Sequence, residues 1–208
     1  VIPLWGDLAL KKHTVILWMK VVVACVPAAV MGLLFDDWME AHLMNAYVVA
    51  AALILYGILF IVVENINYGK RPAIERVGDI TYKTALIIGL FQVLSLVPGT
   101  SRSGSTILGA MIIGCSRPAA AEFSFFLGIP VMFGASLLKI VKFGFHFTGA
   151  EIFILLFGMV VAFIVSVFSI KFLMSYIRKN DFKLFGIYRI VLGVIVVIFF
   201  AVRTIMGL

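Results

Sequence analysis

Long apolar segments constrain this chain more than any other feature. Leu43–Val63 contains no formally charged side chain. A helix that crosses the ~30 Å hydrocarbon core of a bilayer needs about 20 mostly apolar residues. Because that core offers no water to the backbone, a helix is the favoured structure for such a segment. Four further segments have the same character, and together they predict an all-α integral membrane protein with five transmembrane helices: Thr14–Phe35, Pro118–Leu138, Ile152–Ile170 and Phe182–Val202.

The composition and the placement of charge support a membrane protein. Hydrophobic residues make up 63% of the chain and charged residues 13%, whereas a soluble domain carries about 25% charged residues. The net charge of +7 would be compatible with a nucleic-acid partner. The basic residues, however, lie between apolar blocks and not on one face, so we expect no nucleic acid and interpret them as positive-inside signals.

The connecting segments predict an orientation. Residues 64–83 and 171–183 are rich in Lys and Arg, whereas the predicted loop 36–42 is acidic. The bias of Lys and Arg toward cytoplasmic loops places the two basic segments inside and the acidic loop outside. Lys139 and Lys142 lie at the predicted outer end and weakly oppose this orientation.

One apolar segment is too short to span and is predicted to form a re-entrant hairpin at residues 84–114. Thr84–Val97 and Thr106–Cys115 are apolar, and the polar sequence PGTSRSGS separates them. Each half reaches roughly 21 Å or less at 1.5 Å per residue, which is shorter than the hydrocarbon core. We therefore expect a helix–loop–helix that enters and leaves by one face within a single membrane domain, residues 1–208. Broken helices of this kind mark binding sites in many membrane proteins.

The stretch QVLSLVPGTSRSGST, residues 92–106, has the composition of an anion site. Pro98 would end the first half-helix, and Gly99 and Gly104 would allow a tight turn and the close approach of a ligand. Ser103 or Ser105 could cap the second half-helix. The free N–H groups and positive dipole end of that helix favour an anion.

Arg102 adds a permanent charge to this stretch. Its planar guanidinium suits phosphate oxygens, and an unpaired arginine at membrane depth is costly, so an anionic ligand is our first interpretation. The alternative is that Ser and Gly serve close helix packing and that Arg102 pairs with Glu122. We also expect Glu122 to pair with Arg117 or Arg102, and Arg189 to snorkel or pair near the cytoplasmic face. Residue chemistry alone leaves a phosphatase and a phosphate-group transporter both open.

Two longer stretches resemble a known family. The sequence LFQVLSLVPGTSRSGSTILGAMIIG is similar to the P-G-x-S-R-S-x-x-T signature of the undecaprenyl-diphosphate phosphatases, also known as bacitracin-resistance phosphatases. The following SRPAAAEFSFFLGIPVMFGA, residues 116–135, resembles the next helix of that family. CVPAAVMGLLFDDWME and YRIVLG are similar as well, so the resemblance covers essentially the whole chain.

The resemblance implies an activity and a set of site residues. The implied reaction is the hydrolysis of undecaprenyl diphosphate to undecaprenyl phosphate, which recycles the lipid carrier of cell-wall synthesis. A transporter or flippase of the carrier is the alternative, because broken helices also build transporters. The residues implied in catalysis are Arg102, Ser101, Ser103 and Thr106, and those implied in substrate binding are Gly99, Thr100, Gly104, Ser105 and Gln92. A divalent cation, Mg²⁺ or Ca²⁺, is implied as the cofactor, and the nucleophile, a water or a serine, stays open.

The chain departs from the family in one respect. Family members carry an E/Q-x-x-x-E motif followed by L-P-x-S-S-x-G-H, whose acids are proposed to hold the cation, and no such motif occurs here. The family has two inverted repeats, so we expect this chain to be an N-terminally truncated half that is inactive alone and whose metal ligands are unknown. His13, His42 and His146 are interpreted as interfacial residues and not as ligands.

The resemblance also implies a cellular setting. We expect a multi-pass protein of the bacterial plasma membrane with its active site facing the outside. The expected partners are a polyprenyl diphosphate lipid and the bilayer, and the sequence leaves a homodimer open.

Overall fold

The computed structural model describes residues 8–144 and 148–206, and these residues form helices and no strand. Two single turns of 3-10 helix, Val77–Asp79 and Leu94–Leu96, accompany the α-helices. The α-helices of the described residues are α1 Leu8–Leu43, α2 Ala46–Asn67, α3 Tyr82–Val93, α4 Arg102–Ile112, α5 Arg117–Phe143, α6 Gly149–Lys179 and α7 Lys183–Ile205.

Five of these helices are long and apolar enough to cross a membrane, namely α1, α2, α5, α6 and α7. The predicted all-α membrane fold is therefore confirmed. Each predicted span lies within one of the five helices, except that residues 43–45 precede α2 and Phe182 precedes α7. The predicted acidic loop 36–42 is wrong, because α1 continues to Leu43 and the turn to α2 consists of Met44 and Asn45. A helix can project beyond the bilayer into water, where acidic side chains do not end it. Asn45 is the N-cap of α2, since its side chain accepts a hydrogen bond from Val48 N at 2.9 Å.

Small residues bring the membrane helices into close contact. A Cβ atom at Gly57 of α2 would lie 2.7 Å from the carbonyl oxygen of Gly186 on α7. Farther along the same pair of helices, a Cβ atom at Gly193 would lie 3.0 Å from the carbonyl oxygen of Ala50. Such close backbone approach is how membrane helices gain packing energy, because lipid provides no hydrophobic force between them.

The two arms of the helix–loop–helix begin and end side by side. Ile74 N donates to Gly114 O at 3.1 Å, and Ser116 N donates to Ile74 O at 2.8 Å. Asn67 Nδ2 donates to Met111 O at 3.2 Å and ties the end of α2 to the end of α4. The chain therefore leaves the hairpin beside the point where it enters. The re-entrant position of residues 84–114 in a bilayer stays a prediction.

A buried carboxylate joins three parts of the bundle. Glu64, in the last turns of α2, is only 1% exposed. It accepts hydrogen bonds from Arg117 Nε at 2.9 and 3.0 Å and from Phe182 N at 2.8 Å. The expected pairing of Arg117 with Glu122 is therefore wrong. Glu64 was assigned to a loop, but α2 extends to Asn67 and turns this carboxylate inward.

We predict that Glu64→Gln lowers the free energy of unfolding by about 2 kcal/mol, because it leaves Arg117 without its ionic partner. Asp181→Asn is the matched control, since the Lys183–Asp181 pair is exposed and 4.0 Å long. That control should change stability by less than about 0.5 kcal/mol. Thermal unfolding of both purified variants in detergent measures the difference, and equal losses in the two variants would contradict the role of Glu64.

Candidate active site

The tip of the hairpin turns at a glycine. Gly99 has φ +89°, and a Cβ atom there would lie 2.5 Å from the carbonyl oxygen of Val49 on α2. Both the positive φ and the lack of space require glycine at this position. Thr100 N donates to Val97 O at 3.2 Å and closes the turn. The tip is therefore a fixed loop that packs against α2.

Ser101 begins the second arm in a strained conformation. Among the described residues it is the one non-glycine residue with positive φ, at +67°. Its side chain accepts a hydrogen bond from Gly104 N at 3.4 Å, so Ser101 is the N-cap of α4. The predicted capping by Ser103 or Ser105 is wrong, because α4 begins at Arg102. Backbone strain of this kind persists where the surroundings hold it, and it concentrates at functional sites.

Arg102 lies in the first turn of α4, and no acidic side chain of the described residues pairs with it. Its Nη1 donates to the carbonyl oxygen of Ser124 on α5 at 3.1 Å. A Cβ atom at Gly128 would lie 2.5 Å from Arg102 Nη2, so the guanidinium packs directly on that glycine. The suggested pairing with Glu122 is wrong, since no ion pair joins the two among the described residues. The half-buried charge is held in place by the backbone of α5.

Arg189 of α7 is a residue of the tip that the sequence analysis missed. Its Nη2 donates to Gly99 O at 2.7 Å and to Thr100 O at 2.8 Å. The side chain is buried, and its guanidinium carbon lies 5.7 Å from the centroid of the Tyr56 ring. Arg189 therefore does not snorkel to the surface as expected. An ionisable residue inside an apolar span was the available signal, but its partners lie about 90 positions earlier in the chain.

Several of the predicted site residues are buried in the hairpin. Gln92 and Ser105 are buried, and neither the two amide atoms of Gln92 nor the Ser105 hydroxyl has a hydrogen-bond partner among the described residues. Thr100 and Gly104 are buried as well. Buried polar groups nearly always have a partner in native proteins, so unpaired ones point to a ligand or water.

Thr106 has a different environment from the other hydroxyls. Its Oγ1 lies 2.7 Å from Ser124 Oγ and donates to the carbonyl oxygens of Arg102 and Ser103. The hydroxyl is fully buried and ties α4 to α5. Ser101 is exposed and Ser103 is half-buried, with their hydroxyl oxygens 3.4 Å apart. The hydroxyls that reach the surface of the tip are therefore those of Ser101 and Ser103.

The donor set at the tip suits an anion and not a metal ion. Among the described residues no group of three His, Cys, Asp or Glu side chains could hold a metal. His13 and His42 are exposed near the ends of α1, and His146 lies outside the described residues. Mg²⁺ and Ca²⁺ prefer carboxylate oxygens, whereas the tip offers hydroxyls, an amide and two guanidinium groups. The donor groups of the tip do not by themselves form a site for the expected Mg²⁺ or Ca²⁺ ion.

Comparison with known sequences identifies the family of the chain. A sequence profile described as "Bacitracin resistance protein BacA" matches residues 4–195. The chain belongs to the BacA family. The predicted resemblance is therefore confirmed.

Similar proteins cover most of the chain. A protein of Desulfitobacterium hafniense named undecaprenyl-diphosphatase is 60% identical over 96% of this chain and 72% of its own length. A protein of the same name from Enterococcus faecalis is 62% identical over 93% of this chain and 70% of its own length. Another from Acetivibrio thermocellus is 62% identical over 93% of this chain and 72% of its own length.

We predict that Gly128→Ala lowers the turnover of the BacA-family protein roughly tenfold, because the added methyl group displaces the Arg102 guanidinium. Gly134→Ala on the same helix is the matched control, since a Cβ atom there has no neighbour within 4 Å. Turnover of a prenyl diphosphate should be unchanged in that control. Equal rates in the two variants would show that the position of Arg102 does not matter.

Proposed function

We propose that this BacA-family chain hydrolyses undecaprenyl diphosphate to undecaprenyl phosphate and inorganic phosphate. The observation that carries the proposal is the half-buried Arg102, which has no acidic partner among the described residues and lies in a hydroxyl-rich tip inside an apolar helix bundle. The names of the relatives supply the substrate. The reaction recycles the lipid carrier of peptidoglycan synthesis, which accounts for resistance to bacitracin.

The tip residues stabilise charge on the diphosphate. As the P–O bond breaks, negative charge spreads over the phosphoryl oxygens, and fixed donors aimed at those oxygens lower the barrier. Arg102 supplies a guanidinium that Ser124 O and Gly128 hold in place. Ser101 and Ser103 supply hydroxyl donors, and the N-terminal N–H groups of α4 point toward the same region.

Arg189 acts through the backbone of the tip. Arg189 binds the carbonyl oxygens of Gly99 and Thr100. The negative ends of these two carbonyl dipoles therefore point toward its guanidinium and not toward an incoming anion. Its own positive charge remains next to Gly104, since a Cβ atom there would lie 3.0 Å from Arg189 Nη1. We assign Arg189 a positioning role, with its charge adding to that of Arg102.

The apolar surface suits the polyprenyl tail. α6 is exposed along almost its whole length and carries large hydrophobic side chains on all sides. A bilayer covers such a helix, and the same environment accepts an isoprenoid chain. The substrate would thus lie with its tail among lipids and its diphosphate at the tip.

A divalent cation remains part of the proposal without a site on the described residues. Carboxylate ligands for Mg²⁺ or Ca²⁺ would have to come from residues that the structure does not bring to the tip. We therefore derive no step through the metal. The chemistry supported here consists of binding, orienting and neutralising the diphosphate.

We propose that the tip faces the outside of the bacterial plasma membrane. The basic links, including Lys70, Arg71 and Lys179, lie at the end of the bundle where the hairpin begins and ends. Gly99 instead contacts Val49, which lies in the first turn of α2 at the other end of that helix. The positive-inside bias puts the basic end in the cytoplasm.

Cysteine labelling tests this orientation. We expect Trp38→Cys to react with an impermeant thiol reagent in intact cells, and Lys70→Cys to react only after permeabilisation, since both positions are exposed. Background from Cys115 should be low, because burial raises the pKa of its thiol to about 11 and leaves little thiolate. The reverse labelling pattern would place the tip toward the cytoplasm.

Phosphate release by the purified full-length protein tests the activity. We expect release from a water-soluble prenyl diphosphate, with a roughly 100-fold loss in Arg102→Lys, because lysine keeps the charge but lacks the planar fork. Arg76→Lys is the matched control at an exposed position and should retain full activity. Transport of a polyprenyl phosphate without phosphate release would favour the flippase alternative. Near-normal turnover in Arg102→Lys would contradict the role of its guanidinium.

A further inference from the structure

A separate cavity lies at the base of the hairpin, at the opposite end of α4 from Arg102. Its volume is about 460 Å³, which is within the range of small-molecule sites. The cavity is formed by the link after α2, the link between α4 and α5, and the end of α6. None of the tip residues described above lines it.

The charged side chains that line this cavity are positive. The cations that line it are Lys70, Arg71, Arg117 and Arg178, and no acidic side chain of the described residues lines it. Arg117 is neutralised by Glu64. In the described part of the chain, the side chains of Lys70, Arg71 and Arg178 have neither an ion pair nor a hydrogen bond. Three exposed positive charges around one cavity create a positive potential that attracts an anion.

The walls of the cavity are fixed and combine two kinds of surface. The main-chain hydrogen bonds between Ile74 and both Gly114 and Ser116 hold the two links together. Ser116 caps α5, whose first turn adds its positive dipole end. Beside the cations lie the apolar side chains of Pro118 and Ile177. An anion with an attached apolar part fits this surface better than a bare ion.

We propose that this cavity binds the phosphate group of an anionic phospholipid. Basic pockets between membrane helices at the water–lipid boundary recognise such headgroups, and the ends of α2, α5 and α6 converge here. The bound headgroup bridges Arg71 of the link after α2 and Arg178 of α6 and so fixes the base of the hairpin. This site is independent of the proposed hydrolysis at the tip.

Binding of a short-chain lipid to the purified full-length protein tests the site. Dioctanoyl phosphatidylglycerol is titrated into wild type, Arg71→Gln/Arg178→Gln and the control Lys139→Gln/Lys142→Gln. The control removes two exposed charges near the far end of α5. We expect the first double variant to bind at least tenfold more weakly and the control to bind as wild type does. Arg117 is left intact, because its loss would leave the buried Glu64 carboxylate without its ion-pair partner.

Two further probes separate the sources of the phosphate group. Dioctanoyl phosphatidylcholine and inorganic phosphate are titrated in the same way, and weaker binding of both supports the anionic lipid. Equal affinities for inorganic phosphate and phosphatidylglycerol, both lost in Arg71→Gln/Arg178→Gln, would keep the phosphate site but overturn the lipid as its occupant. Equal binding of the two lipids, or no change in that variant, would overturn the site itself. If the double variant melts early, Lys70→Gln at an exposed position provides the same comparison.

Discussion

The structure depends on placing irregular, polar backbone inside an apolar bundle. A loop at membrane depth is tolerated only where protein or water satisfies its polar groups. Here Arg189 binds the carbonyl oxygens of Gly99 and Thr100, and Ser101 caps the next helix. The glycine at position 99 lets the loop press against α2. These contacts stabilise the loop at which we place the diphosphate.

Two arginines serve the tip in different ways. Arg102 comes from the hairpin itself and is held by α5, whereas Arg189 comes from α7 and holds the backbone of the hairpin. The base of the hairpin is fixed separately, through Glu64 and the main-chain contacts of Ile74. The tip and the base are therefore stabilised by different groups.

Local sequence was a good guide where the interactions are local. The five spans follow from hydropathy, and the helical first arm of the hairpin ends at Leu96, shortly before Pro98. The end of α1 is an exception, because the acidic residues before Leu43 predict a loop although the helix continues through them. The cap of α4 was misplaced by two or more residues, since the strained φ of Ser101 cannot be recognised from composition.

The sequence by itself determined the membrane class and the family, because each rests on a contiguous pattern. Only the tertiary structure decided the partners of the charged groups. It paired Arg117 with Glu64 and not with Glu122, and it brought Arg189 to the tip. Hydropathy reports how each segment meets the bilayer, but it carries no information on which helices become neighbours. A buried charged side chain pairs with a polar or oppositely charged group on one of those neighbouring helices.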